Sequence, residues 1–155
     1  MLVGMTPLDR ALRLLARRAY TALEMEAALA RAGVEERERA EAVARLRELG
    51  YMDDLEVART RARTLLGRGA APRLAERRLG EQGVDAAQAR AAVGEAAQGA
   101  SEAELLERAL RKVLRGRAPG GDKERRRVFR ALVAKGHRPA QVARALGISW
   151  EGHDE

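Results

Sequence analysis

Apolar positions recur at helical spacing from the start of the chain, with Leu8, Leu12, Leu15 and Ala19 falling on one face of a 3.6-residue period. The pattern is punctuated by a repeated stop. Leu29-Ala-Arg-Ala-Gly33-Val34 returns as Leu79-Gly-Glu-Gln-Gly83-Val84 and again as Leu132-Val-Ala-Lys-Gly136-His137, at offsets of 50 and then 53 residues. A glycine placed there fits the left-handed position that ends a helix. It lets the next residue fold back on the leucine, Val34 on Leu29 and Val84 on Leu79. Gly50-Tyr51, with Leu46 four residues before the glycine, carries the same signal. A period of about fifty residues is the mark of a tandem array.

Helix starts fall where this array requires them. Thr6, Thr21, Asp53 and Ser101 each place an oxygen acceptor three residues before a carboxylate, at Asp9, Glu24, Glu56 and Glu104. The pattern predicts helices near 7–19, 22–32 and 35–49, then 54–66, 71–82 and 85–93, then 102–115, 122–135 and 139–146. These make an all-α fold, an elongated array of three three-helix, helix-turn-helix-like repeats over residues 1–54, 55–101 and 102–149, with a loose tail at 150–155. Glycine-containing breaks at 94–100 and 116–121 read as a hinge and a loop.

Composition agrees with helices and thin cores. Of 155 residues, 46% are apolar, but 32 of the apolar residues are alanine and 20 are leucine, and aromatics make up only 3% of the chain. With no cysteine there is no disulfide and no thiolate nucleophile or ligand. The first charged residue is Asp9, and no uncharged apolar run nears the roughly 18 residues of a membrane span. A soluble, cytoplasmic monomer is expected. The net charge is +7, and 27 of the 30 basic residues are arginine, whose planar fork suits phosphate and carboxylate. Charge is uneven along the chain. Residues 1–54 hold 9 basic and 10 acidic groups, residues 55–101 hold 8 and 5, and residues 102–149 hold 13 and 5.

With repeat, stops and hinge in hand, the chain resembles the RecX family of bacterial recombination regulators. The resemblance rests on Ala11 through Arg18-Ala-Tyr20-Thr21-Ala-Leu-Glu24-Met, on Leu29 with Gly33, and on Gly50-Tyr51-Met52-Asp53-Asp54 with Ala58. It continues through Gly67-Arg68-Gly69, Leu79 with Gly83, and Gly136. It runs from about Leu8 to Leu146. Val57 stands where the family commonly has phenylalanine, and His137 where an aromatic commonly follows the last glycine. The resemblance implies tandem three-helix repeats that bind the RecA recombinase and restrain its filaments on single-stranded DNA. The implied partners are RecA and single-stranded DNA, with no cofactor, no metal and no catalysis. The family motif residues Gly33, Tyr51, Asp53, Asp54, Gly67, Gly69, Gly83 and Gly136 are read as structural.

The residues themselves leave competing readings. Tyr51, Asp53 and Asp54 could suggest an acid or metal site, but Asp53 is accounted for as a helix cap and Tyr51 as a helix closure. His137 and His153 have no cysteine to pair with. Arg138 to Ser149 looks like half of a DNA-reading helix-turn-helix, yet only six residues follow, too few for a recognition helix. The alternative function is a direct DNA-binding helical repeat or transcriptional regulator. Contact candidates for RecA or DNA are Arg17, Arg18, Arg59, Arg63, Arg68 and Arg73. A cleaner stripe at i, i+3, i+4 and i+7 is formed by Lys123, Arg126, Arg127 and Arg130. A solvated polar face is the plain reading of either group. The scattered aromatics argue against base stacking.

Overall fold

The computed structural model describes residues 4–152. Among these it has nine helices and no strand: α1 (Pro7–Leu15), α2 (Ala22–Arg31), α3 (Glu36–Glu48), α4 (Asp54–Gly67), α5 (Pro72–Glu81), α6 (Ala86–Ala97), α7 (Glu102–Val113), α8 (Asp122–Ala134) and α9 (Pro139–Leu146). The caps follow the sequence. Thr6 and Thr21 form reciprocal capping boxes with Asp9 and Glu24, and Asp53 and Ser101 accept from first-turn amides. Each glycine stop closes with the backbone bond expected of its geometry: Val34 N–H donates to Leu29 O, Val84 to Leu79 and His137 to Leu132, at 3.0, 3.0 and 3.1 Å. Gly33, Gly83 and Gly136 have φ of +85°, +97° and +93°.

Two helix boundaries differ from those the pattern predicts. The first helix ends at Leu15 rather than near residue 19, because the chain must turn to bury Tyr20 and to let Thr21 cap α2. The sixth continues through Gly94 to Ala97, so the expected break starts later, at Gln98 in the left-handed region. The intact i to i−4 ladder tolerates Gly94 at a cost of about 1 kcal/mol. At the other end Trp150, expected in a loose tail, meets Phe129 at a tilt of 41° with ring centroids 5.2 Å apart. His153 and the rest of that tail lie outside the described residues.

Buried apolar side chains gather into three clusters. The first, built from α1–α3, centres on Met25, Leu29 and Leu46. The second, from α4–α6, is packed from Ala58, Ala62, Ala75, Ala89 and Ala92 around Leu79 and Val93, so small side chains bring α4 and α6 close together. The third, from α7–α9, centres on Val128, Leu132, Val142 and Leu146. The accessible surface is 10050 Å². A compact monomer of 16.9 kDa would expose about 7,700 Å². The molecule is accordingly elongated, with shallow cores.

Neighbouring clusters meet through the glycine stops. A Cβ placed on Gly83 would stand 2.4 Å from Leu23 Cβ at the start of α2, and one on Gly136 would stand 2.6 Å from Leu74 Cβ near the start of α5. The same two joints are tied by hydrogen bonds to the residue before each glycine. Thr21 Oγ1 donates to Gln82 O at 2.6 Å, and Ala71 N–H donates to Lys135 O at 2.8 Å. A Cβ on Gly33 would meet nothing, so glycine is required there by its dihedral angle alone.

His137 completes the second joint. It is 4% exposed, and its Nε2 lies 2.8 Å from Gly69 O, which makes Nε2 the protonated nitrogen. Burial lowers its pKa below the ordinary 6.5, and Lys135 and Arg73 push the same way against the Gly69 carbonyl and Glu102. A depressed histidine pKa means that the unfolded chain binds the proton first. Stability is then complete above about pH 6.5 and declines as pH falls toward the folded-state value. Thermal melts of the wild type are expected to weaken between about pH 7.5 and 5.5 by more than those of His137→Phe. Parallel curves for the two proteins would remove this histidine from the joint.

Candidate interaction surface

Several of the arginines singled out by sequence are occupied within the fold. Arg59 Nε donates to Glu95 Oε2 at 2.9 Å and its Nη1 bonds Glu56, so it ties α4 to α6. Arg18 lies over the Tyr20 ring, 3.8 Å from its centroid, donates to Ala19 O at 3.0 Å and sits 3.7 Å from Glu24. Arg73 Nε bonds Gly136 O across the second joint. Arg68 caps the end of α4 with an exposed side chain, and its carbonyl accepts from Lys135 Nζ. Arg17 and Arg63 are exposed; Arg63 reaches only the Thr60 hydroxyl, at 3.3 Å.

On α8, Lys123, Arg126, Arg127 and Arg130 are all exposed, while Val128 and Leu132 are buried on the other side. Lys123, Arg127 and Arg130 line an open hollow of about 430 Å³ with Gly121 and Glu124, whereas Arg126 is not part of that lining.

The motif residues have structural partners. Asp53 Oδ1 accepts from Leu55 and Glu56 N–H at 3.0 and 3.3 Å. Asp54 Oδ1 accepts from Ala22 N–H at 2.9 Å, holding the start of α4 to the start of α2. Tyr51 N–H donates to Leu46 O at 2.9 Å, as the stop signal predicts. Tyr51 is nevertheless 61% exposed, while Leu46 is fully buried. With Leu49, Tyr51 leaves two large apolar side chains in solvent beside the end of α3.

Three features escape a reading of spacing alone. Arg61, which helical spacing turns away from the face shared by Arg59 and Arg63, is the hub of the first joint. Its Nη2 and Nη1 donate to Glu24 Oε1 and Oε2 at 2.8 and 3.1 Å, and it also reaches Gln82 Oε1 at 2.9 Å and Ala19 O at 3.2 Å. Burial raises the Glu24 pKa, but Arg61, the Thr21 amide and Arg18 outweigh it and leave the carboxyl below its ordinary value. A second feature is a cluster of arginines at the end of α1: Arg10 and Arg13 on the helix and Arg17 in the turn beyond it line a groove of about 220 Å³ with Leu14, Ala28, Leu29 and Ala32. Arg10 and Arg13 are one turn apart on α1, but it is the turn after Leu15 that sets Arg17 on the same groove.

The third is a groove of about 310 Å³ between the second and third clusters. Leu66, Ala70, Ala96, Leu105 and Ala109 supply its apolar part, and Arg63, Arg108 and Lys112 its charge. No carboxylate of the described residues lines it. Arg108 and Lys112 are one helical turn apart on α7, but only the fold sets them across from Arg63 on α4.

Comparison with known proteins agrees with this architecture. Residues 8–46 match the family model described as RecX, first three-helix domain. The chain is 36% identical over 88 residues to the regulatory protein RecX of Stenotrophomonas maltophilia, covering 57% of this chain and 54% of that protein. It is 33% identical over 130 residues to that of Chlorobaculum tepidum, covering 83% and 79%. The crystal structure of RecX from Lactobacillus salivarius superposes with a TM-score of 0.65 at 18% identity, over 91% of this chain and 94% of that one. A further RecX crystal structure gives 0.67, over 91% and 71%. Among the described residues no helix is long and apolar enough to cross a membrane. An all-helical array with the repeated glycine stops, together with a relative one-third identical along most of both chains, shows that this chain belongs to the RecX family of regulatory proteins.

Proposed function

We propose that the chain binds RecA, or the RecA filament on single-stranded DNA, and inhibits filament assembly and the recombinase and coprotease activities that depend on it. The observation that carries this reading is family membership, established along most of the chain. The elongated form supports it, because three thin clusters in a row can lie along several subunits of a partner where a compact domain would touch one. The excess of cations in residues 55–149 supports it as well, since +11 over two units exceeds what solubility requires. Action is by occupancy and needs no cofactor, and the working form is a cytoplasmic monomer. A pull-down with RecA run beside a gel shift with DNA alone separates this reading from direct DNA binding. Retention by RecA is expected; a shift of DNA without retention by RecA would replace it with the alternative. For that alternative, α9 is closed after Leu146 by Gly147 at φ +67°, and no helix follows it among the described residues to enter a groove.

The α8 stripe allows a quantitative test of DNA contact. Each single-strand phosphate neutralised contributes about 0.7 to the slope of log affinity against log salt. If Arg126, Arg127 and Arg130 meet phosphate, changing all three to glutamine flattens the slope by about 2 and leaves folding intact, because the buried Val128 and Leu132 are untouched. An unaltered slope with lost RecA inhibition would assign the stripe to the protein partner.

A further inference from the structure

The groove between the second and third clusters has the chemistry of a binding site. Its volume of about 310 Å³ is enough for one or two large side chains. The base is apolar, formed by Leu66, Ala96, Leu105 and Ala109, and it runs between α4, α6 and α7. Cations stand around it without matching anions. Arg63 bonds only a hydroxyl, Lys112 Nζ bonds the Gly67 carbonyl, and Arg108 has no ion pair among the described residues. Elsewhere in the same chain arginines find carboxylates readily, as Arg59, Arg61 and Arg138 do.

The balance of these groups selects the occupant. A nucleic-acid strand would bring phosphates to the cations but would also need rings to stack its bases, and the lining contains no aromatic residue. An aliphatic base with a cationic rim fits an apolar side chain flanked by carboxylates. The wall also has room for close approach. Gly67 lies on the helix at the groove edge, without positive φ, and a Cβ there would meet nothing within 4 Å. Glycine at that position is demanded neither by backbone geometry nor by internal packing, although Gly80 and Gly94 are equally open away from the groove.

We infer that this groove seats an acidic, apolar-centred segment of the partner protein, with Arg63, Arg108 and Lys112 holding its carboxylates. The inference rests on RecA being that partner. The absence of cysteine provides a clean test. Gly67→Cys places one thiol in the groove and Gly80→Cys one thiol away from it, and a Cβ at either position meets nothing within 4 Å. Alkylation by iodoacetamide is followed in each variant by mass spectrometry, alone, with RecA filaments, and with a thymidine oligonucleotide alone. The expected result is that RecA filaments slow labelling of Gly67→Cys by about tenfold or more, leave Gly80→Cys unchanged, and find no counterpart in the oligonucleotide. Equal protection by the oligonucleotide would make the occupant a phosphate strand and overturn the assignment. Undiminished labelling of Gly67→Cys by filaments that the wild type still inhibits would also overturn it, while leaving the proposed function standing. If the wild type fails to act on filaments at all, that function falls first. As a second readout, Arg63→Gln with Arg108→Gln is expected to raise the inhibitory concentration about tenfold without altering the melt, and an unchanged inhibitory concentration counts against the groove.

Discussion

Replacing Gly83 with alanine is expected to destabilise the protein by about 3 kcal/mol, against about 1 kcal/mol for the same change at Gly33. The two glycines share a sequence signature and nearly the same φ, +97° and +85°. Left-handed backbone costs an alanine about 1–2 kcal/mol at either site. Only at Gly83 does the new methyl also fall 2.4 Å from Leu23 Cβ, an approach that forces backbone to move and adds about 1–3 kcal/mol of overpacking. In a tandem array, stability is roughly a sum of unit terms and neighbour terms. Gly33→Ala perturbs a unit; Gly83→Ala perturbs a unit and a joint. The corresponding shifts in melting temperature are about 2–4 °C and 6–12 °C for a chain of this length. Equal shifts would show that the joint contributes nothing.

Arg61→Ala is expected to cost about 2–3 kcal/mol, far more than Arg37→Ala at an exposed i,i+4 pair with Glu41, where less than about 0.5 kcal/mol is at stake. The Arg61 and Glu24 side chains are only 22% and 23% exposed, and the guanidinium satisfies a carboxylate, an amide oxygen and a backbone carbonyl at once. Its loss leaves Glu24 half-buried, with Arg18 at 3.7 Å as its remaining cation. The pH dependence has a definite sign. Because the folded state lowers the Glu24 pKa, its contribution is present above the ordinary carboxyl range and is lost as pH falls through the folded value. Stability of the wild type is therefore expected to fall more steeply below about pH 4.5 than that of Glu24→Gln, as read by denaturant midpoints. A steeper fall in the variant would contradict the assignment.

Local signals carried much of the fold into the sequence. Leu29, Leu79 and Leu132 with their glycines mark helix ends because the left-handed stop is a backbone preference confined to a few residues. Thr6, Thr21, Asp53 and Ser101 mark starts because few side chains can accept from the free amides of a first turn. The helix through Gly94 was not legible, since a single glycine weakens a helix without breaking it and flanking alanines carry the ladder across. The end of α1 was equally hidden: Arg17, Arg18 and Ala19 are all good helix formers, and it is the burial of Tyr20 ahead of the Thr21 cap that turns the chain.

The surface was harder to read than the fold. Arg59 and Arg63 share a helical face by spacing, yet Arg59 belongs to Glu95, 36 residues away, and Arg63 to solvent and the groove. Arg61 points elsewhere, as its spacing implies, but its role depends on Glu24 and Gln82, which no local pattern connects to it. Charge on a helix reports where a side chain points; the partner it finds depends on how successive units dock. Arg63, Arg108 and Lys112 come together because the third cluster docks on the second, where Gly136 seats against Leu74, His137 against Gly69 and Ala71 N–H bonds Lys135 O.

Filament growth tests the central claim most directly. RecA is assembled on single-stranded DNA in the presence of a nucleoside triphosphate, and filament extension is followed by fluorescence with this protein added from substoichiometric to equimolar amounts. The proposed action by occupancy along the filament predicts that extension slows well below one copy per RecA subunit and that DNA-dependent ATP hydrolysis falls in parallel. Unchanged extension and hydrolysis at an equimolar ratio would contradict the account.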